Sequence, residues 1–514
     1  MDFRAAPGRR LDWIDTRIET RFSNFLFIDR TFRSHPVLRR LFSLARKHDY
    51  QSLLIEEIFA DDCPLLEEEN QALSTRSKDF ERSEVRRLTF WRCLPDQVQS
   101  ADDFIGYAIF KTDHFSTSRQ EDHIYESVFP IVRTTNDNNF VHCIRTYSVN
   151  TITGFQSVKG VLYAQQNDQT YVCAHVALRT ALSSVLPDGD ISYEEMNRLA
   201  GIDHENRCVG KNEGGLSPDD METIFLGLGL EYEKIVHEPD LGHMLPNEFQ
   251  RDLYGIIESG WPALLGFELK DPSAPPGKVP RHIVPVIGHT FNDDAWVPDA
   301  QRAYFGNQLA YYSSESWLSS YVLQDDNFGP YYCLPRHFLD KENFRMILGL
   351  KPKTISFPAS DAEVVGFNFL NAILRGRKGN GTPWHDRFLI FTHNGLLVLR
   401  TLVLEKSDYL DHLRAMTDWE GNQIESNAIA QIAAILPKHI WMIEASAQEL
   451  FASSRRKFGE VLLPAEQPLP RPLNTSILLG IRLPGSILMS SNGSLNTLEV
   501  SLKGHSPLYQ QSTN

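Results

Sequence analysis

The chain has 514 residues, of which 42% are apolar and 23% charged, and its 51 Lys and Arg against 66 Asp and Glu give a formal charge of −15. At about 150 residues per domain this is material for roughly three folded domains. Wholesale disorder is excluded, and the acidic total argues against a nucleic-acid backbone as partner.

The charge is uneven. Residues 1–50 carry 11 bases and 6 acids, and residues 51–70 carry seven acids and no base. Such a run reads first as a solvated helix face, with a basic patch near the N-terminus as the other reading. No stretch approaches the ~18–20 unbroken apolar residues of a membrane span. The first residues carry charge without an apolar h-region, so neither a membrane segment nor a secretory signal is expected. The six cysteines (Cys63, Cys93, Cys143, Cys173, Cys208 and Cys333) are sparse and form no CxxC pair. They suggest neither a disulfide scaffold nor structural zinc, and they fit a reducing, cytoplasmic compartment.

In chain order, the first ~85 residues read as helical, from Val37, Leu38, Leu41, Phe42, Leu44 and Ala45 and again from Leu53, Leu54, Ile58 and Phe59. Segments 85–94, 104–112 and 125–134 alternate as strands of an antiparallel sheet. At 172–186 the period changes: Ala174, Ala177, Leu178, Ala181, Leu182 and Val185 mark one face of a helix. Ser192 with Glu195 predicts a capped helix that stops at Gly201, and Ser217–Pro218 followed by Asp219 and Asp220 predicts another. Strands follow at 262–269, 282–288 and 317–325. Beyond about 346, Ala359–Arg375 is helical, a hairpin is expected around His393–Asn394–Gly395, and helices at 407–416 and 425–436 precede strands IWMIEA and GEVLLP. A Pro-rich stretch at 464–472 and a polar tail after about 503 complete the chain.

The fold class is therefore α+β, in three parts: 1–160, a helical segment plus antiparallel sheet; 161–345, helices followed by antiparallel strands; and 346–514, an α/β region with a polar tail.

Chemistry concentrates in two segments. In QQNDQTYVCAHVALRTAL (165–182) a cysteine opens an apolar-faced helix, where free N–H groups favour a thiolate. In RHIVPVIGHTFNDDAWVPDAQ (281–301) His282 opens an apolar strand, a polar turn holds Asn292, Asp293 and Asp294, and Asp299 closes the returning segment. His175, two residues from Cys173, points elsewhere on the helix. His289 is expected to be structural. DDNFGPYY at 325–332 reads as an ordinary turn that can also line the cleft or bind a cation.

Together the two segments resemble the papain-like cysteine peptidase superfamily, above all its bacteriocin-processing, double-glycine-peptidase-like branch. The order Gln, Cys on a helix, helices, a Gly-x-Pro strand (ESGWPALLGFEL, 258–269), His on a strand and then an acid carries the likeness over about 161–345. The resemblance implies a papain-like central domain and a cysteine peptidase. Cys173 would be nucleophile, His282 base, Asp299 the group that orients the imidazole, and Gln166 (or Gln165) a donor to the oxyanion. It implies a protein or peptide substrate and no cofactor or metal. Three positions depart from the pattern: Ala174 replaces the usual Gly, Gln166 lies seven rather than six residues before Cys173, and Pro285 sits inside the strand of His282 and calls for an edge or bulge there. The same constellation also serves acyl transferases, and a catalytically inactive papain-like binding scaffold is the reading from another class.

Overall fold

The computed structural model describes residues 8–17, 30–59, 64–94, 97–98, 100–131, 139–167, 169, 172–203, 215–236, 248–268, 281–291, 302–305, 309–340, 342–376, 383–416, 423–449, 451, 456–483, 486–491, 494–498 and 509–510. It is a mixed α+β protein built on three main sheets.

The first sheet is an antiparallel meander of β1 (Arg9–Asp15), β2 (Ser52–Ile58), β3 (Phe80–Trp91), β4 (Phe104–Phe115) and β5 (Gln120–Val128), paired in chain order. Helix α1 (Pro36–Lys47) starts with Pro36 behind an N-cap at His35, whose Nδ1 accepts from the Leu38 N–H at 3.2 Å. It buries the predicted face Val37, Leu38, Leu41, Phe42, Leu44 and Ala45 against this sheet. Helix α2 is Pro64–Arg76. The helical reading of Leu53, Leu54 and Ile58 is corrected: they lie in β2, an inner strand buried on both faces, where a continuous apolar run loses its period of two.

The central sheet needs more of the chain. Strand β6 (Asn139–Val141) is followed by the hairpin β7 (Arg145–Thr151) and β8 (Gly154–Gly160). Then come helices α3 (Cys173–Val185), α4 (Tyr193–Leu199) and α5 (Pro218–Gly227), each beginning where the sequence placed it. Strand β9 (Glu233–Val236), helix α6 (Glu248–Glu258), β10 (Ala263–Glu268), β11 (Arg281–Phe291), β12 (Arg302–Phe305), β13 (Leu309–Ser313), β14 (Leu318–Asp325), β15 (Gly329–Pro335) and β16 (Phe344–Gly349) follow. The central sheet has the order β15-β14-β11-β10-β16-β9, with β6 also on β11. Helix α3 packs against β10, β11 and β14. Leu264 and Ile283 join its apolar cluster, while their neighbours Leu265 and Val284 face the cluster of α6.

The third sheet runs β12-β13-β17-β18-β20-β21-β22-β23. The elements of this part of the chain are α7 (Ala359–Gly376), α8 (Pro383–His393), β17 (Leu397–Glu405), α9 (Lys406–Ala415), α10 (Ser426–Ile435), β18 (His439–Ala447), β19 (Arg456–Lys457, outside this sheet), β20 (Gly459–Pro464), β21 (Gly480–Leu483), β22 (Ser486–Ser491) and β23 (Ser494–Leu498). The hairpin expected at 393–395 is instead the end of α8, a turn at Gly395 with φ 63°, and then β17. A left-handed glycine ends a helix as readily as it makes a hairpin.

Strands cross the boundaries expected at 160 and 345. β6 pairs in the central sheet, and β13 pairs parallel with β17 in the third. One apolar cluster joins Leu54, Trp91 and Tyr107 to Leu178 and Leu264. No described helix is long and apolar enough to cross a membrane.

A buried charge chain ties the central sheet to the third. Glu258 at the end of α6 accepts from His289 at 2.5 Å and from Arg400 Nε at 2.9 Å, and Arg400 Nη1 reaches Glu444 at 2.9 Å. Burial pushes the Glu258 carboxyl upward, but Arg400 and His289 outweigh it and hold the group well below the carboxylate range. Removing one member of such a chain strands the others. Arg400→Met is therefore expected to lower unfolding free energy by about 3–5 kcal/mol, read from the urea midpoint and slope of the full chain.

Candidate active site

Cys173 is the first residue of α3, with Val172 in extended conformation (φ −118°, ψ 177°) as N-cap. Val172 has no polar side chain to offer, so His175 reaches back: its Nδ1 lies 3.4 Å from the Val172 N–H, and its Nε2 is 3.0 Å from Asn197 Oδ1 on α4. His175 thus fixes the helix start and the helix that follows. One turn on, Arg179 bonds Glu126 of β5 at 2.7 Å and Asp190 at 2.8 Å, all with little exposure. These contacts set the direction in which the first turn of α3, and with it the Cys173 thiol, faces the sheet.

His282 lies on β11 opposite Phe267 of β10, whose ring meets the imidazole edge-on at 5.6 Å. The departure noted at Pro285 is accommodated: it pairs with Leu264 on one side, and on the other the register shifts between Val286 and Gly288 against β14. His282 and Cys173 are brought together across the junction of helix and sheet, close enough for the thiol to help raise the imidazole pKa. His282 Nε2 faces two acids, Asp326 Oδ1 at 3.3 Å and Asp325 Oδ2 at 3.4 Å. Burial, the largest influence, pushes the imidazole pKa down. The hydrogen bonds to Asp325 and Cys173 and the charges of Asp326 and Asp325 overcome it, raising the group to about 10.

The acids sit at the β14–β15 turn, in the DDNFGPYY segment that reads from sequence as a turn able also to line the cleft or bind a cation. Asp325 Oδ1 accepts from the N–H groups of Asn327 and Phe328 at 2.9 and 3.1 Å, so one oxygen shapes the turn while the other faces His282. Gly329 closes the turn with φ 96°, and a Cβ there would stand 2.9 Å from Arg40 Cγ. Asp299 lies outside the described residues. Among the described residues β11 pairs with β10, β14 and β6, and it is the end of β14 that carries the acids to His282. A spacing rule counted along the chain therefore had no way to reach Asp325 or Asp326. The signal that was available is an acid pair at the end of a strand able to pair with the histidine strand.

The two glutamines separate cleanly. Gln165 is spent on structure: its N–H donates to Ile124 O at 2.9 Å and its Oε1 accepts from Ile124 N–H at 3.0 Å. Gln166 is half-buried. His289 is wholly buried on Glu258 and stacked on Phe140 at 5.1 Å, a structural role. Of the other cysteines, Cys143 is buried and its thiol is pushed up to about 12 by that burial, Cys93 is half-buried and Cys333 exposed. Cys63 and Cys208 lie outside the described residues.

His282, Asp325 and Asp326 offer ligand atoms within 4.8 Å of one another, as do Glu69–Asp113–His123 and His412–Glu444–Glu460. In the second and third groups a lysine ammonium already lies against the carboxylates, Lys111 on Asp113 at 2.8 Å and Lys457 on Glu444 and Glu460. In the first group the cation facing the carboxylates is the imidazolium itself.

The raised imidazole links folding to pH. The folded value, about 10, lies above the unfolded value near ~6.5. Its stabilisation is therefore complete below about pH 6.5 and disappears as pH rises through about 10. The stability gap between wild type and His282→Gln should be largest at pH 6 and close progressively towards pH 10, measured by urea denaturation at each pH.

Compared with protein-family models and with curated proteins, the chain matches none of them.

Proposed function

We propose that this chain is a thiol hydrolase with a papain-like central arrangement, opening a peptide or isopeptide bond through an acyl thioester. The observation that carries this reading is one side-chain series: His282, on a strand packed against the helix that Cys173 opens and raised in part by that thiol, faces Asp325 and Asp326 at 3.4 and 3.3 Å. The order of nucleophile helix before an antiparallel sheet, with the histidine on a strand beneath it, supports it further.

His282 rests as the imidazolium, held by the carboxylates through Nε2, and Cys173 reacts as the thiolate paired with that cation. The sulfur attacks the carbonyl carbon. The oxyanion lies against backbone N–H groups at the start of α3 and the Gln166 amide. The imidazolium gives its proton to the departing nitrogen, the C–N bond breaks, and the acyl group stays on sulfur. The thiol is one of the groups that raise the imidazole. Once it is acylated that partner is gone, so His282 holds a proton less tightly and can take one from the attacking water. Water then attacks the thioester and the thiol is regenerated. Asp325 and Asp326 supply acids to the ring: Asp325 fixes the turn and the ring together, and Asp326 adds charge.

Iodoacetamide at pH 6 should label Cys173 before any other cysteine, located by peptide mass spectrometry, and leave buried Cys143 unlabelled in the native protein. His282→Ala should slow labelling of Cys173 at least about tenfold, because the thiolate loses its counter-charge. Equal, slow labelling of the accessible thiols, unchanged by His282→Ala, would count for the inactive scaffold.

Hydrolysis of a p-nitrophenyl ester should fall by at least about 10³-fold in Cys173→Ala, the scale seen when a catalytic triad loses its nucleophile. Asp325→Ala should cost more than Asp326→Ala, since Asp325 also accepts the backbone N–H groups of Asn327 and Phe328 that shape the turn; equal losses would show that the two acids do not divide the work.

A further inference from the structure

We infer that the N-terminal unit is a working part of the active site: Glu69, held by Lys111, positions the Gln166 side chain through Asn167. The inference rests on the thiol-hydrolase reading above, and assigns to that site residues far from it in sequence.

The segment ahead of Cys173 is fastened on both sides of Gln166 to the first sheet and helix α2. On one side Gln165 is bound through backbone and side chain to Ile124 of β5. On the other, Asn167 Nδ2 donates to Glu69 Oε1 of α2 at 2.8 Å. Asn167 Oδ1 accepts from the Gln169 N–H at 3.0 Å, and Gln169 O accepts from Arg76 Nη1 at 3.2 Å. The Gln169 amide in turn donates to Glu121 Oε2 at 3.2 Å. Gln165 and Asn167 are committed to the N-terminal unit, and Gln166 stands between two fixed neighbours.

The anchor is itself held. Glu69 is 4% exposed and lies 3.3 Å from Lys111 Nζ, which also pairs with Asp113 at 2.8 Å. His123 stands 3.9 Å from both carboxylates. Burial, the largest influence on it, together with Lys111, pushes its pKa down to about 3, so the ring is neutral there. One ammonium thus faces two carboxylates, and the Asn167 amide supplies a further donor to Glu69. A buried carboxylate with fixed donors is a rigid post, because moving it away from Lys111 leaves charge unpaired.

The test uses the full-length protein and two probes for Cys173. Iodoacetamide alkylation displaces iodide at carbon and forms no oxyanion. Acylation by p-nitrophenyl acetate does: the S–C bond forms, the C–O bond to nitrophenol breaks, and the electron pair leaves as nitrophenolate, which is read as a burst. Asn167→Ala should leave alkylation within about twofold of wild type and slow the acylation burst by about tenfold or more; loss of one oxyanion donor is worth about 10²–10³. Gln166→Ala should show the same split. The double variant should acylate no more slowly than Gln166→Ala alone, because Asn167 acts through Gln166. Glu69→Gln, which keeps an acceptor for Asn167, should retain more of the acylation rate than Glu69→Ala.

Normal acylation in Asn167→Ala, equal slowing of both probes, or losses that multiply in the double variant would each overturn the inference while leaving the hydrolase reading intact. A wild-type Cys173 that neither alkylates at pH 6 nor acylates would overturn both.

Discussion

A buried imidazole facing two carboxylates is the constraint from which most of this fold's specific contacts follow. A charge held out of water is tolerable only where its partners cannot move away, and the protein spends many polar contacts on that immobility. The β14–β15 turn is held from below by Gln324, whose amide donates to Val161 O at 3.1 Å and Leu162 O at 3.3 Å and whose carbonyl takes the Tyr331 N–H at 2.8 Å. Tyr331 donates to Phe129 O at 2.7 Å, and Tyr163 reaches Asp326 O at 3.3 Å. Arg40 of α1 clamps the far side, on Pro330 O and Tyr331 O.

These contacts give the first sheet a larger share in the site than its distance along the chain suggests. Phe129 and Tyr163 join strand β5 and the segment beside it to the turn that carries the acids, while α2 and β5 hold the segment that leads to the nucleophile. The acid turn and the segment ahead of the nucleophile are thus referred to one scaffold, whereas the thiol and the imidazole come from α3 and β11. Geometry between groups on different elements is kept within tenths of an ångström only where such a common reference exists. On the opposite side, the Glu258–Arg400–Glu444 series does the same for the back of the central sheet, locking α6 and β11 against β17 and β18.

How far the sequence could be read depended on whether the deciding information was local. The start of α3 at Cys173, the capped helices α4 and α5, and strands β10, β11 and β14 all carry their signals within a dozen residues, and they were legible. Strand β2 was not, because a strand buried on both faces shows no alternation and Leu53, Leu54 and Ile58 also fit a helical spacing. The end of α8 was misread for a related reason: His393–Asn394–Gly395 serves a left-handed helix stop as well as a turn between strands. Cys173 and His282 could be paired from sequence through a resemblance, and the structure packs α3, which begins at Cys173, against β11, which carries His282. Asp325 and Asp326 could not be found the same way. They are brought to His282 by a strand that returns only after the chain has left to build β12 and β13, and no count along the sequence measures which strands lie side by side.

The lending of strands between sheets has a consequence for how the protein is made. The first sheet is complete once residue 128 has left the ribosome, but the edge offered by β13 waits for β17, roughly 80 residues further on. At about 5–20 residues per second this leaves β13 without its parallel neighbour for about 4–16 s during translation. For those seconds the nascent chain presents an open edge on β13, the strand of Tyr311 and Tyr312, the sort of edge that recruits other strands. A chaperone that shields this interval, or slow decoding upstream of it that lets the central sheet close first, would then govern the yield of soluble protein more than the stability of the finished fold does.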